Sequence, residues 1–376
     1  MFNITKYLYY EAKPFIFFLI LLPRFAYTAG PNKVATIERG LWPYIIESKT
    51  EFDRASNAEI QMLALIVTET DLGSEMAVKK FTGLKKVNLS QVTKWVTKTK
   101  FRLLNNHKQA CENLEEYTCA KDWLELQELS YKNLQKNLPH TWQSWAQASR
   151  AFHQRYLYEQ VRLAAIFPNI TSEIDKLSDE EIDGFELSDG QFLLTYDDGP
   201  SNTRSQPLIK ALNKADIHAF FFLLGETLNK VNPSIDIYNH QCVASHGYEH
   251  KSHQKWEKWQ KSLTDTRKAL NKYQSGPYWF RPPYGQRNLA LLGELKKHNN
   301  KVMLWNIDSQ DWNRKLTNQQ VADRVTTLML LWRRGIILYH DIHKPALHNL
   351  PILQKLVNQS ELLWLDCRQF DTVKVD

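Results

Sequence analysis

The run LLTYDDGP at 193–200 ends an apolar stretch with two adjacent carboxylates, Asp197 and Asp198. Neighbouring acids raise each other's cost of ionising, so the pair calls for an explanation. Solvated turn acids are the plain one; a metal site or a catalytic pair is the sharper one. Downstream, SHGYEH at 245–250 sets His246 and His250 four residues apart. On a helical turn both rings would face one way and could hold one metal ion. Together with Asp198 they offer two nitrogens and one oxygen, a set that leaves coordination positions open as catalytic zinc requires. His240 and His253, close by, read as surface residues.

These groups need elements to bring them together. Beyond residue 190 short apolar runs alternate with helical ones. The runs are FLLTY (192–196), HAFFFLL (218–224), QCVAS (241–245), YWF (278–280), VMLWN (302–306), GIILY (335–339) and ELLWLD (361–366). Helical spacing recurs between them, at 206–215, 262–273, 288–298 and 318–334. Seven strands alternating with helices predict a parallel sheet, and closure into a barrel is the compact solution. Asp197 and Asp198 follow the first run, His246 and His250 the third, Arg281 the fourth, Asp308 and Asp311 the fifth, His340 and Asp341 the sixth. In a parallel α/β barrel those strand ends form one rim, where catalytic groups gather.

Residues 40–182 read instead as an all-α accessory region, with helical patterns at 57–67 after an Asn57 cap, at 90–104 with Val92, Trp95, Val96 and Leu103 on one side, and at 142–167. Nothing in this half carries recognisable chemistry. The net charge of +7 is uneven: nine Lys and Arg and no acid fall between Met76 and Cys111, and eight acids against Lys176 between Glu173 and Asp189. Such a basic run reads as a solvated helix face, with anionic polymers or lipid head groups as the alternative. Lys6 and Lys13 flank the apolar FIFFLILL (15–22), and AYTAG follows at 26–30. Residues 1–29 therefore read as a signal peptide or an N-terminal membrane anchor, placing the protein in the periplasm or another extracytoplasmic space. In an exported chain a disulfide between Cys111 and Cys119 is expected, while Cys242 and Cys367 read as buried thiols.

TYDDGP (195–200), HGYEH (246–250), RPPYG (281–285), DSQDW (308–312) and ILYHD (337–341) resemble, in order, the five motifs of the polysaccharide deacetylases, carbohydrate esterase family 4. The resemblance covers 185–376 and implies a distorted (β/α)7 barrel and hydrolysis of an acetamide, a carbon–nitrogen bond that is not a peptide bond. It departs from the family at Tyr196, where Phe is usual, and at Gly247, where Ser or Thr is usual. The resemblance implies a divalent metal, zinc by default, on Asp198, His246 and His250. It implies Asp197 as base, paired with Arg281, and the Tyr284 N–H as an oxyanion donor. It further implies His340 as the acid for the leaving amine with Asp311 as its carboxylate partner, and Trp312 and Leu338 as walls of the acetyl pocket. His343 reads as a surface residue. The partner expected is an acetylated amino-sugar polysaccharide such as peptidoglycan, chitin fragments or surface glycan, and not nucleic acid. Attachment to membrane or cell wall through the N-terminal segment stays open. The rivals are an O-acetyl esterase of the acetylxylan type, a glycoside hydrolase, a two-His-one-carboxylate iron oxygenase and a non-catalytic glycan-binding protein.

Overall fold

A computed structural model describes residues 33–112, 114, 118–274 and 278–372. The expected signal or anchor at 1–29 lies outside them. Among the described residues no helix is long and apolar enough to cross a membrane.

The chain opens with α1 (Lys49–Glu69), α2 (Glu75–Thr82), α3 (Leu89–Cys111), α4 (Trp123–Tyr131) and α5 (Gln143–Ile166). β1 (Glu181–Ile182) and β2 (Gln191–Asp197) follow, then α6 (Ser205–Lys214), β3 (Phe220–Leu223), α7 (Gly225–Val231), β4 (Cys242–Ser245), α8 (Trp259–Leu270) and α9 (Leu289–Lys297). β5 (Val302–Met303), β6 (Ile307–Asp308), α10 (Asn318–Trp332), β7 (Gly335–His340), α11 (Lys344–Gln359) and β8 (Leu363–Trp364) complete it.

All strand pairs are parallel, as the α/β barrel expectation requires. β2 pairs with β3 and β7, β3 with β4, and β7 with β6. The single run 302–308 carries both β5 and β6. β5 meets β1 and, through two isolated bridges at Phe280, the β4 side; β6 meets β7. That run therefore closes the circuit. The predicted YWF strand shrinks to Phe280, because Pro282 and Pro283 follow at once and cannot donate to a ladder. The last run forms only β8, seated at the foot of β2, where Leu363 N donates to Gly190 O at 2.9 Å and Leu365 N to Phe192 O at 2.8 Å.

The period of two along the strands decides which side chains reach the barrel interior. Phe192, Leu194 and Tyr196 join the core beneath the helices. Leu193 points the other way, with Phe220, Phe222, Met303, Trp305, Ile336 and Leu338 in a second core. Asp197 and His340 continue that inner face and are direct Cα partners in the β2–β7 register. Tyr196 lies on the opposite face, its ring 5.0 Å from Phe221. Its departure from the family's Phe therefore does not touch the site.

α1 begins eight residues before its expected cap: Ser48, not Asn57, caps it, accepting from Glu51 N at 3.1 Å. The sequence pattern misleads because α1 is buried on all sides, polar residues included. Asn57 accepts a hydrogen bond from His107 across α3, and Asp53 pairs with Arg333 at 2.8 Å. The buried carboxylate of Glu59 takes hydrogen bonds from Trp145 (2.9 Å), Ser149 (2.6 Å) and His153 (2.8 Å), and pairs with Arg39. Burial would raise its pKa, but the Arg39 charge and the His153 contacts pull it down to about 2. Glu59→Leu is expected to cost about 3–5 kcal/mol in urea unfolding, since it strands several buried donors at once. The Glu59 contribution is complete above its ordinary value of 4.5 and is lost as pH falls through about 2.

The helices pack on the barrel through α10. Ser56 donates to Leu330 O at 2.6 Å, and Arg324 donates to Glu159 and to Ala35 O, each at 2.9 Å. One hydrophobic core runs through both halves. The opposed charge runs meet here. Lys94 and Lys98 reach Asp175, each at 2.7 Å, and Arg102 lies 3.9 Å from Asp183 and 3.4 Å over the Phe185 ring. Part of the basic face is thus paired with the chain's own acids while Lys94 and Lys98 stay partly exposed. Within the acidic stretch Glu181 pairs with the fully buried Arg287, so β1 can lie in the interior.

Cys111 and Cys119 are bonded. Cys242 and Cys367 are bonded as well, which corrects their expected reading as thiols. They lie 125 residues apart, and only the seating of 363–367 beside the feet of β2 and β3 brings them together.

Candidate active site

Asp197 closes β2 with its side chain inside the barrel. Arg281, fully buried, donates from Nη1 to Asp197 Oδ1 at 2.8 Å and to Thr195 Oγ1 at 2.8 Å. Its Nε donates to Met303 O and its Nη2 to Leu304 O, each at 3.0 Å. A guanidinium fixed by that many acceptors cannot swing away, so Asp197 keeps a cation beside one oxygen and leaves Oδ2 for the cavity.

Asp198 turns out of the strand with φ of +76°, a left-handed conformation that Asp tolerates better than most residues. Gly199 follows because a Cβ there would collide with the carboxylate of Asp341. Asp341, buried and hydrogen-bonded by Ser205, thus shapes the turn that aims the two acids. Burial, reinforced by the Asp198 charge, pushes its carboxyl up to about 7 despite the Ser205 bond.

His246 and His250 do converge, but on a loop rather than the helical turn expected from their spacing. Their Nε2 atoms stand 3.4 and 3.5 Å from Asp198 Oδ1. His246 Nδ1 lies 2.8 Å from Arg281 O. A carbonyl can only accept, so Nδ1 carries a proton, which leaves Nε2 as the ring nitrogen available to a metal ion. Burial pulls His250 down to about 4, keeping that imidazole neutral. Asp198 Oδ1 is buried and has no hydrogen-bond partner among the described residues. A buried, unpartnered carboxylate oxygen facing two imidazole nitrogens fits a divalent cation.

The Gly247 departure has a physical account. Gly247 has φ of +83°, and a Cβ would come within 2.5 Å of the His253 ring. His253 is fully buried, which corrects its expected surface position. It lies 3.0 Å from Ser262 Oγ, which also accepts from Tyr248 N at 2.7 Å. The hydroxyl that steadies this loop therefore comes from α8 instead of from position 247.

His340 ends β7. Its Nδ1 lies 2.7 Å from Asp311 Oδ1, and its backbone N donates to Asp311 Oδ2 at 2.9 Å. Burial disfavours the imidazolium, but the Asp311 charge and hydrogen bond outweigh it and, with Asp198 and Asp197 adding, raise the pKa to about 10. His343 packs its ring 5.7 Å from His340 and is half-buried rather than a surface residue.

A cavity of about 320 Å³ takes in Asp197, Asp198, His246, His250, Tyr284, Trp312, Leu338 and His340. Arg281 and Asp311 sit behind their partners. Tyr284, with φ of +59°, sets its ring 4.4 Å from His250. The cavity also has walls that the sequence did not reveal. Trp95, Thr99 and Arg102 of α3 and Tyr156, Glu159 and Gln160 of α5 line it, with Trp305 from the barrel, beside the rim residue Asp308 that the strand register had placed there. On α3 and α5 these positions follow ordinary core spacing, so no sequence signal separated cavity wall from packing.

Residues 186–303 match the polysaccharide deacetylase family. Over 177 residues the chain is 29% identical to the peptidoglycan-N-acetylglucosamine deacetylase PgdA of Listeria monocytogenes, covering 44% of this chain and 36% of that one. It is 29% identical over 188 residues to the peptidoglycan-N-acetylmuramic acid deacetylase PdaC of Bacillus subtilis, covering 48% and 38%. It is 28% identical over 194 residues to chitin deacetylase 1 of Saccharomyces cerevisiae, covering 46% and 59%. The chain thus spans less than two thirds of each of these relatives. The family match and these likenesses fall on the barrel half of the chain.

Proposed function

We propose that the chain is a metal-dependent hydrolase that removes N-acetyl groups from an N-acetylglucosamine-containing polysaccharide and releases acetate. The observation that carries this reading is the meeting, at one barrel mouth, of the Asp198–His246–His250 cluster with two buried acid–base pairs, Asp197–Arg281 and Asp311–His340. A glycoside hydrolase has no use for that cluster, and an iron oxygenase has none for the two pairs. The names of the relatives, which refer to peptidoglycan and chitin, agree with an acetylated amino-sugar polymer and with action outside the cytoplasm.

An acetamide is weakly electrophilic and expels a poor leaving amine. Its hydrolysis needs an activated water, a stabilised oxyanion and a proton for nitrogen. A divalent cation on Asp198, His246 and His250, zinc by the borderline-soft donor set, would supply Lewis-acid polarisation and a more acidic water. Asp197, oriented by its hydrogen bond from Arg281, takes the proton from the attacking water. The Tyr284 N–H supports the developing oxyanion. Leu338 and Trp312 enclose the acetyl methyl. His340, cationic beside Asp311, gives its proton to the departing amine.

The test is acetate release from peptidoglycan, chitooligosaccharides, poly-N-acetylglucosamine and acetylxylan. Release from the N-acetyl glycans is expected. Release confined to acetylxylan would replace the amide reading with an ester one.

A pH dependence follows from His340. As the cation it is the active form, so activity should fall as pH rises through about 10. Asp311→Asn removes the charge that raises this group and should bring the alkaline limb down toward the ordinary 6.5. The pair's contribution to stability has the same sign: complete below 6.5 and lost as pH rises through about 10. An alkaline limb that stays in place in Asp311→Asn contradicts the assignment.

A further inference from the structure

We propose that the site takes the terminal sugar of a glycan, end-on, because the helical half closes the inner end of the catalytic cavity. This inference rests on the hydrolytic reading above and deepens it.

Exposure differs sharply between the barrel rim and the aromatic helix residues of the cavity wall. Tyr284 and Trp312, at the barrel rim, are 47% and 39% exposed and form the mouth. At the other end Trp95, Thr99 and Tyr156 are 5%, 1% and 3% exposed. Arg102, lying over Phe185 and facing Asp183, braces α3 to the segment before β2 along that inner wall. The catalytic groups line the same cavity as both sets of residues. A strand of polymer crossing the site would have to leave through the buried helix interface that unites the two halves.

The volume is consistent with one ring. About 320 Å³ stands at the low end of small-ligand sites, which run roughly 300–1,000 Å³. The chemistry of the inner wall selects a sugar over a longer acyl chain. Trp95 and Tyr156 offer apolar faces, while Glu173 and Asp308 offer acceptors for hydroxyl groups. Thr99 Oγ1 and Gln310 Oε1 are buried without a hydrogen-bond partner among the described residues. A hydrocarbon chain would leave those groups unpaired, whereas a ring with hydroxyl groups on its edge and C–H faces above and below satisfies both sets.

The experiment uses the full chain with zinc and reducing-end-labelled N-acetylglucosamine oligomers of increasing length, at equal concentrations of acetyl groups. Products are sequenced by mass spectrometry. The expected result is a free amine confined to one terminal unit, with initial rates that fall as the oligomer lengthens, in proportion to the number of ends. Free amines distributed over interior units, or a rate per acetyl group independent of length, overturn end-on binding while leaving the deacetylase reading intact. Acetate from none of the oligomers, nor from peptidoglycan, overturns both.

Discussion

Asp197→Asn is expected to retain its divalent cation and to lose acetate release by about 100- to 10,000-fold in kcat, the range that a general base contributes. The substitution is nearly isosteric. The Asn oxygen can still accept from Arg281 Nη1, which is otherwise anchored by Thr195, Met303 and Leu304. The fold and the Asp198–His246–His250 cluster should survive, so metal content measured beside kcat separates loss of the base from loss of the site. Full activity with metal bound would remove Asp197 from the mechanism. The two adjacent acids have separate partners, Arg281 beside Asp197 and the two imidazoles facing Asp198.

His340→Ala should cost a similar factor on an N-acetyl glycan, and its signature is dependence on the leaving group. An amine must be protonated to leave, whereas the phenolate of an activated aryl acetate need not be. The variant should therefore lose about 100- to 10,000-fold on the amide and far less on the aryl ester. A purely structural defect would lower both rates together. Equal losses on the two substrates, with metal retained, would take the acid role away from His340.

Much of the barrel was legible because parallel strands buried on both faces read as unbroken apolar runs, and because polar residues followed those runs in register. Asp197, Asp198, His246, His250, Arg281, Asp311 and His340 all come from that register, and the structure brings them to one mouth. Features that depend on tertiary partners stayed hidden. The Cys242–Cys367 bond needs the seating of the last strand, which no local pattern encodes. His253 looked solvated because a polar loop surrounds it, yet Gly247 leaves the space it fills. α1 hid its start because its buried Asp53, Asn57 and Glu59 are satisfied by residues far along the chain. Trp95, Thr99 and Tyr156 looked like packing because a cavity wall and a core face share the same helical period.

The most direct measurement is the mass of a chitooligosaccharide before and after incubation with the protein as purified, after chelation, and after zinc is restored. The account predicts loss of acetyl groups at constant chain length, abolished by the chelator and recovered with zinc. Shortened chains, or undiminished acetyl loss from metal-stripped protein, would contradict it.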